Sequence, residues 1–234
     1  MSAQVWFVVP AAGRSRRMGG AAPKQYLGIA GRTLVEHALA PLLASSRIAG
    51  GVVALAGDDM VFAALAPAAD PRVRTCVGGA ERADSVRSAL GLLGSLGATD
   101  DWVLVHDAAR PCLEPADLQR LIETCEGDPV GGLLATPLAD TLKRADADDR
   151  VAATVERTGL WRALTPQMFR LGPLAEALDS CRRDGVTPTD EAAAIEHMGL
   201  RPRLVAGSPD NIKVTRPADI EAVRRWFAAR GEGG

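Results

Sequence analysis

The chain has 234 residues, of which 47% are hydrophobic and 24% charged, and its 27 Lys+Arg against 29 Asp+Glu leave a formal charge of -2. A chain of this size suits one domain that buries roughly 70 to 75% of its unfolded surface. No basic field is available to hold a nucleic-acid backbone or an anionic membrane, so any anion must be met by local charges.

The N-terminal apolar run Val5 to Val9 is too short to span a bilayer and lacks the basic start of a secretory signal, which points to a cytoplasmic protein. Trp6 to Pro10 reads as a first buried strand. Gly51 to Ala56, Val73 to Val77, Trp102 to His106 and Gly132 to Thr136 read as further strands. Between and after them run helical stripes at i, i+3, i+4, i+7. These are Val86, Ala89, Leu90 and Leu93, then Leu118, Leu121, Ile122 and Cys125, then Leu174, Ala177, Leu178 and Cys181. The alternation predicts an α/β fold with a mainly parallel sheet and helices on both faces.

Residues 140–158 break that rhythm, with two short strand-like pieces around the acidic turn Ala145 to Arg150, and read as a projecting hairpin arm. A lone two-stranded arm is marginal in water, so packing on a second subunit is expected. Asp190 to His197 is a short helix stopped by Gly199, with Thr189 as one candidate N-cap, and Ile220 to Phe227 closes the chain as a helix. Residues 1–230 form one expected domain, and Gly231 to Gly234 an expected disordered tail. Cys76, Cys112, Cys125 and Cys181 have no paired ligand spacing and are expected as reduced thiols. The scattered His37, His106 and His197 argue against structural zinc and against a histidine-based triad.

Sheets of this class bind ligands beyond the carboxyl ends of their strands. The first such loop begins Pro10-Ala11-Ala12-Gly13 and continues through Arg14-Ser15-Arg16-Arg17-Met18 to Pro23-Lys24-Gln25-Tyr26. Its small residues let backbone amides approach a flat or phosphorylated ligand, while Arg17 and Lys24 add positive charge. Neither Gly-x-Gly-x-x-Gly nor Gly-x-x-x-x-Gly-Lys-Ser/Thr occurs there, which disfavours a nicotinamide-dependent oxidoreductase.

A strand leading into Ala-Ala-Gly-x-x-x-Arg-Met and Pro-Lys resembles the signature of sugar-nucleotide pyrophosphorylases and related nucleotidyltransferases, which have a Rossmann-like fold. Four further segments narrow the resemblance. They are Gly78 to Val86 (GGAERADSV), His106 to Pro111 (HDAARP), Ala163 to Gln167 (ALTPQ) and Asp210 to Thr215 (DNIKVT). With Pro23 to Tyr26 and Thr189-Asp190-Glu191 they run in order over residues 10–215 and resemble the 2-C-methyl-D-erythritol 4-phosphate cytidylyltransferases.

That resemblance implies a single nucleotidyltransferase domain joining CTP to 2-C-methyl-D-erythritol 4-phosphate, with release of pyrophosphate, in the non-mevalonate isoprenoid pathway. It implies that Arg17 and Lys24 stabilise the transition state, while Arg157 and Lys213 hold the incoming phosphate. It places Ala11, Ala12, Gly13, Gly79, Ala80 and Ser85 around the nucleotide. Some relatives carry an acidic residue where this chain has Ala80, so only a backbone contact carries over. Asp107, Arg110, Thr141, Thr165 and Thr189 join Arg157 and Lys213 around the polyol phosphate. The arm bearing Thr141 and Arg157 implies a homodimer whose subunits lend these residues to each other. One Mg²⁺, or another divalent cation, is implied mainly by the triphosphate, with no protein ligand assigned. Partners are therefore CTP, a polyol phosphate and a second copy, with no nucleic acid and no membrane. The rival readings are a ribitol 5-phosphate cytidylyltransferase and a non-catalytic nucleotide-binding module. Length leaves no room for fusion to the next enzyme of the pathway.

Overall fold

The structure, a computed structural model, describes residues 3–13, 23–97 and 99–231. Of the expected tail, Glu232 to Gly234 lie outside the described residues, as do Arg16 and Arg17.

Strand β1 (Val5–Pro10) is central in a seven-stranded sheet. After it come the two-residue strands β2 (Gly28–Ile29) and β3 (Arg32–Thr33), helix α1 (Leu34–Ala44), β4 (Ile48–Leu55), β5 (Val73–Val77), α2 (Arg82–Ser95), β6 (Trp102–Val105), α3 (Pro115–Glu126) and β7 (Gly131–Pro137). The chain then forms β8 (Leu142–Ala145), β9 (Val151–Val155), β10 (Trp161–Arg170), α4 (Leu171–Arg183), α5 (Glu191–His197), β11 (Arg203–Ala206) and α6 (Pro217–Ala228). The large sheet has the order β11-β7-β10-β6-β1-β4-β5. Its pairings are parallel except those of β10, which is antiparallel to both β6 and β7. The fold is thus α/β with a mostly parallel sheet, as the sequence predicts.

Alternation along β1 sends its side chains to two cores. Phe7 and Val9 join Val35, Leu39 and Leu42 of α1 and Leu118, Leu121 and Ile122 of α3 on one face. Val8 joins Val86, Ala89, Leu90 and Leu93 of α2 and Leu174, Ala177 and Leu178 of α4 on the other. The three predicted stripes are therefore the buried faces of α2, α3 and α4. A third cluster, with Ile29, Leu34, Val223 and Phe227, seats α6 against the β2-β3 hairpin.

Several elements depart from the sequence expectations. Helix α1 is not among the predicted elements: its apolar residues run nearly unbroken and Pro41 lies inside it, which masks the helical period. A Thr33/Glu36 capping box starts it and is a readable signal. Strand β10 is a second addition, because a proline argues against a central strand. The β7–β10 register breaks between Ala163 and Gln167, and Pro166 sits in that break. Strand β11 and the β2-β3 hairpin are further additions. At α5 the N-cap is Asp190, whose side chain accepts a hydrogen bond from the Ala193 amide at 2.9 Å, so the candidate Thr189 cap is corrected by one residue. Helix α6 begins at Pro217, three residues before the predicted start.

The arm follows its predicted boundaries closely. Strands β8 and β9 pair antiparallel around an exposed acidic turn, as a separate two-stranded sheet.

Candidate active site

The loops leaving β1, β5 and β6, together with the segment after β11, meet at the carboxyl edge of the sheet, where ligands of doubly wound folds bind. They enclose a cavity of about 280 Å³. Ala11, Ala12 and Gly13 form one wall, Gly79, Ala80 and Ser85 another, and Lys24, Asp107 and Lys213 supply charge.

Backbone closeness explains the small residues. A Cβ on Gly78 would lie 2.6 Å from Ala12 Cβ and 2.7 Å from Ser85 Oγ, and one on Gly79 would lie 2.2 Å from Asp84 Cβ. Neither space admits a methyl group: Gly78 lets the β1 loop meet the start of α2, and Gly79 lets its own loop close onto Asp84. Ser85 is buried; its Oγ accepts from the Gly79 amide at 3.1 Å and donates to the Glu81 carbonyl at 3.2 Å. From the other side, buried Gln25 donates through Nε2 to the Ala11 carbonyl at 2.6 Å. The wall is therefore fixed before any ligand arrives.

Lys24 follows Pro23 in a single helical turn and donates through Nζ to the Val214 carbonyl at 3.0 Å, next to Lys213. The Val214 amide in turn donates to the Ala109 carbonyl at 2.8 Å. These bonds bring the 24–26 turn, the loop after β6 and the 211–215 segment together. Beneath them, Asn211 is fully buried and donates through Nδ2 to the Thr165 carbonyl at 2.8 Å.

Asp107, 6% exposed, is the electrostatic centre. Its Oδ1 accepts from Arg82 Nε at 2.9 Å, while its Oδ2 lies 2.8 Å from Lys213 Nζ and 3.7 Å from Arg110 Nε. Burial alone would raise its pKa, but the charges of Arg82, Lys213 and Arg110 outweigh that and hold the carboxyl far below the usual range. Arg82 also grips Glu191, with Nη1–Oε1 at 2.7 Å and Nη2–Oε2 at 2.9 Å. Burial disfavours the Arg82 cation, yet Glu191 and Asp107 more than compensate and keep it charged. Arg110 donates to the Asn211 carbonyl at 2.7 Å.

Next to Asp107, His106 is fully buried. Its Nε2 donates to the Arg110 carbonyl at 3.1 Å, which leaves Nδ1 to accept from the Thr165 hydroxyl at 2.9 Å. Thr165 Oγ1 accepts in turn from the Asp107 amide at 3.1 Å. Burial, the largest influence, pushes the imidazole pKa down to about 4, so the ring is neutral near pH 7.

Of the residues that the sequence singles out, Ala11, Ala12, Gly13, Lys24, Gly79, Ala80, Ser85, Asp107 and Lys213 line the cavity. Arg110 and Thr165 stand directly behind Asp107. Thr189 is exposed ahead of α5. Thr141 and Arg157 are exposed on the arm, away from the cavity, where Arg157 donates to the Ala139 carbonyl. The sequence reading assigns no role to Arg82, Glu191 or Gln25. Their motif positions are visible, but a pair separated by 109 residues leaves no periodic trace.

Among the described residues no group of three or more His, Cys, Asp or Glu side chains is gathered as a metal site. Asp107 and Glu81 are the carboxylates that line the cavity.

Comparison with known proteins agrees with this layout. The IspD family model, described as 2-C-methyl-D-erythritol 4-phosphate cytidylyltransferase, matches residues 5–226. Proteins of that name from Pseudomonas putida (strain GB-1) and Ectopseudomonas mendocina (strain ymp) are 55% and 54% identical. The alignments cover 96% and 98% of this chain, and the same shares of the two relatives. A crystal structure of 4-diphosphocytidyl-2C-methyl-D-erythritol synthase, 39% identical, covers 97% of this chain and 100% of its own with a TM-score of 0.85. The Francisella tularensis 2-C-methyl-D-erythritol 4-phosphate cytidylyltransferase structure, 32% identical, covers 95% of this chain and 99% of its own with a TM-score of 0.80. With a cavity walled by the motif loops and near-complete coverage by these relatives, the chain belongs to the 2-C-methyl-D-erythritol 4-phosphate cytidylyltransferase family.

Proposed function

We propose that this protein transfers the cytidylyl group of CTP to 2-C-methyl-D-erythritol 4-phosphate, giving 4-diphosphocytidyl-2-C-methyl-D-erythritol and pyrophosphate. The observation that carries this reading is the cavity itself. A close-packed glycine and alanine wall suited to a nucleotide shares one cavity with Lys24 and Lys213, as a nucleotide and a second phosphate require.

A substrate phosphate oxygen forms a bond to the α-phosphorus as the bond to the pyrophosphate oxygen breaks, in line. A phosphate monoester has a second pKa near ~6, so the attacking oxygen is already anionic at neutral pH and needs no general base. His106, neutral and enclosed, suits that chemistry as a structural residue. Positioning and charge cancellation remain for the protein to supply. Lys24, with Arg17 outside the described residues, serves the triphosphate, and Lys213 serves the incoming phosphate. Ala11, Ala12, Gly13, Gly79, Ala80 and Ser85 surround the nucleoside. Asp107, Arg110 and Thr189 serve the polyol side, with Thr165 bracing Asp107 from behind.

A divalent cation such as Mg²⁺, held mainly by the triphosphate, would supply neutralisation of charge on the phosphate oxygens. Glu81 lines the cavity and could complete the coordination of a cation brought by the nucleotide, whereas both oxygens of Asp107 are already taken by Arg82 and Lys213.

The working unit is a homodimer in which the arm lends Thr141 and Arg157 to the other subunit. Their exposure, off their own chain's cavity, supports this. We infer a cytoplasmic site of action, supported by four free cysteines. No described helix is long and apolar enough to cross a membrane. The test is formation of the CDP-linked product and pyrophosphate from the two substrates with a divalent cation. Absence of both products from folded protein would refute the reading.

A further inference from the structure

The Arg82 guanidinium is held by two carboxylates through its Nε and both outer nitrogens. Its outer nitrogens take both oxygens of Glu191 in a fork, and its Nε takes Asp107 Oδ1. Glu191 is 1% exposed and sits at the first position of α5. That helix is itself pinned to the sheet: Gln167 accepts from the Ala192 amide at 2.8 Å and donates to Asp190 at 2.9 Å. Glu191 therefore cannot follow Arg82 if the guanidinium moves. A bidentate fork fixes the plane of the guanidinium as well as its place.

Two consequences meet at the cavity, which Arg82 lines. Asp107 is fixed through Oδ1, so that Oδ2 points to Lys213 at 2.8 Å. The same fork keeps the Arg82 guanidinium from swinging as a whole onto bound phosphates. Arg82, Arg110 and Lys213 set against Asp107 and Glu191 leave one net positive charge in the cluster.

We propose that Glu191 is a positioning residue for the transfer reaction, acting through Arg82 to orient Asp107 against Lys213 and to keep Arg82 off the phosphates. The proposal rests on the cytidylyltransferase reading of the cavity. Without the Glu191 charge, Arg82 becomes an extra mobile cation beside two anionic substrates. It then binds phosphate in the ground state without aligning it, which strengthens binding and slows turnover. A residue needed only for folding would instead weaken binding of both substrates as the site loosens.

Steady-state kinetics of Glu191→Gln test this, with CTP and methylerythritol phosphate varied in turn at a temperature where circular dichroism reports folded protein. The expected result is a kcat at least about tenfold lower, a KM for the polyol phosphate equal to or below wild type, and a KM for CTP within about twofold. A kcat within about twofold of wild type overturns the proposal, as does a joint rise of both KM values. Should Glu191→Gln not fold, Arg82→Lys carries the same expectations, because it keeps the charge but cannot hold both carboxylates in a fork. If the wild-type protein forms no product, the cytidylyltransferase reading fails and this proposal with it. Active wild type with unimpaired variants overturns the positioning role alone.

Discussion

Lys213 Nζ rests 2.8 Å from Asp107 Oδ2, a cation held by a buried carboxylate that Arg82 grips from the other side. The lysine thus waits at the cavity wall in an ordered position. An incoming phosphate exchanges one charge-assisted hydrogen bond for another, with little side-chain entropy left to lose.

Lys213→Ala should retain its fold, because Asp107 keeps Arg82 and Arg110 as counter-ions. Turnover should fall on the order of 10²- to 10³-fold, the usual loss when a preorganised group is removed from charge that develops in the transition state. Steady-state kinetics beside a thermal melt check this. Wild-type turnover in the folded variant would remove Lys213 from the mechanism.

Two glycines of the same region should respond in opposite ways. Gly78→Ala places a methyl group 2.6 Å from Ala12 Cβ, pushing the β1 loop away from α2, and should raise the KM for CTP about tenfold or more. Gly91, inside α2 with nothing within 4 Å of an added Cβ, should gain about 0.5–1 kcal/mol on substitution by alanine, with unchanged kinetics. Urea titrations and CTP saturation curves read both effects. A Gly78→Ala enzyme with normal CTP saturation would show that the wall is not the nucleotide site.

The pH dependence of stability should carry the mark of His106. Its pKa is pushed from 6.5 down to about 4 by burial, so below pH 6.5 the unfolded chain takes up a proton that the native ring refuses. Stability is therefore full above 6.5 and lost as pH falls toward about 4, where the native ring also protonates. The loss from about pH 7 to about pH 5 should be about 2 kcal/mol. Asp107, with its lowered pKa, adds its own loss only at lower pH, below the unfolded carboxyl value of 3.8. His106→Gln should flatten the upper window in urea unfolding. An equal slope in the variant would mean that other groups titrate there.

The shared-arm proposal predicts complementation. Arg157→Ala and Lys24→Ala homodimers should each be nearly inactive. Equal mixing with subunit exchange should restore about a quarter of wild-type activity, because half the dimers are mixed and each has one intact site. No recovery, with mixed dimers demonstrated by mass, would place Arg157 in its own chain's site or outside the reaction.

The sheet and three of its helices are legible in the sequence because burial imposes a period: β1 alternates between two cores, and α2, α3 and α4 each bury one stripe. The cavity walls are legible for a different reason, since backbone contact leaves glycine and alanine in recognisable runs at 11–13 and 78–80. Helix α1 is hidden by Pro41, and β10 by a proline lying in its break of register. The Arg82–Glu191 fork is hidden because tertiary folding alone brings α2 and α5 together.

The most direct test supplies CTP, a divalent cation and either 2-C-methyl-D-erythritol 4-phosphate or ribitol 5-phosphate, and follows pyrophosphate and the CDP-linked product. The account predicts stoichiometric formation of both products from the methylerythritol substrate, and little from the ribitol substrate. Equal or faster turnover of ribitol 5-phosphate, or no product from the methylerythritol substrate, would contradict it.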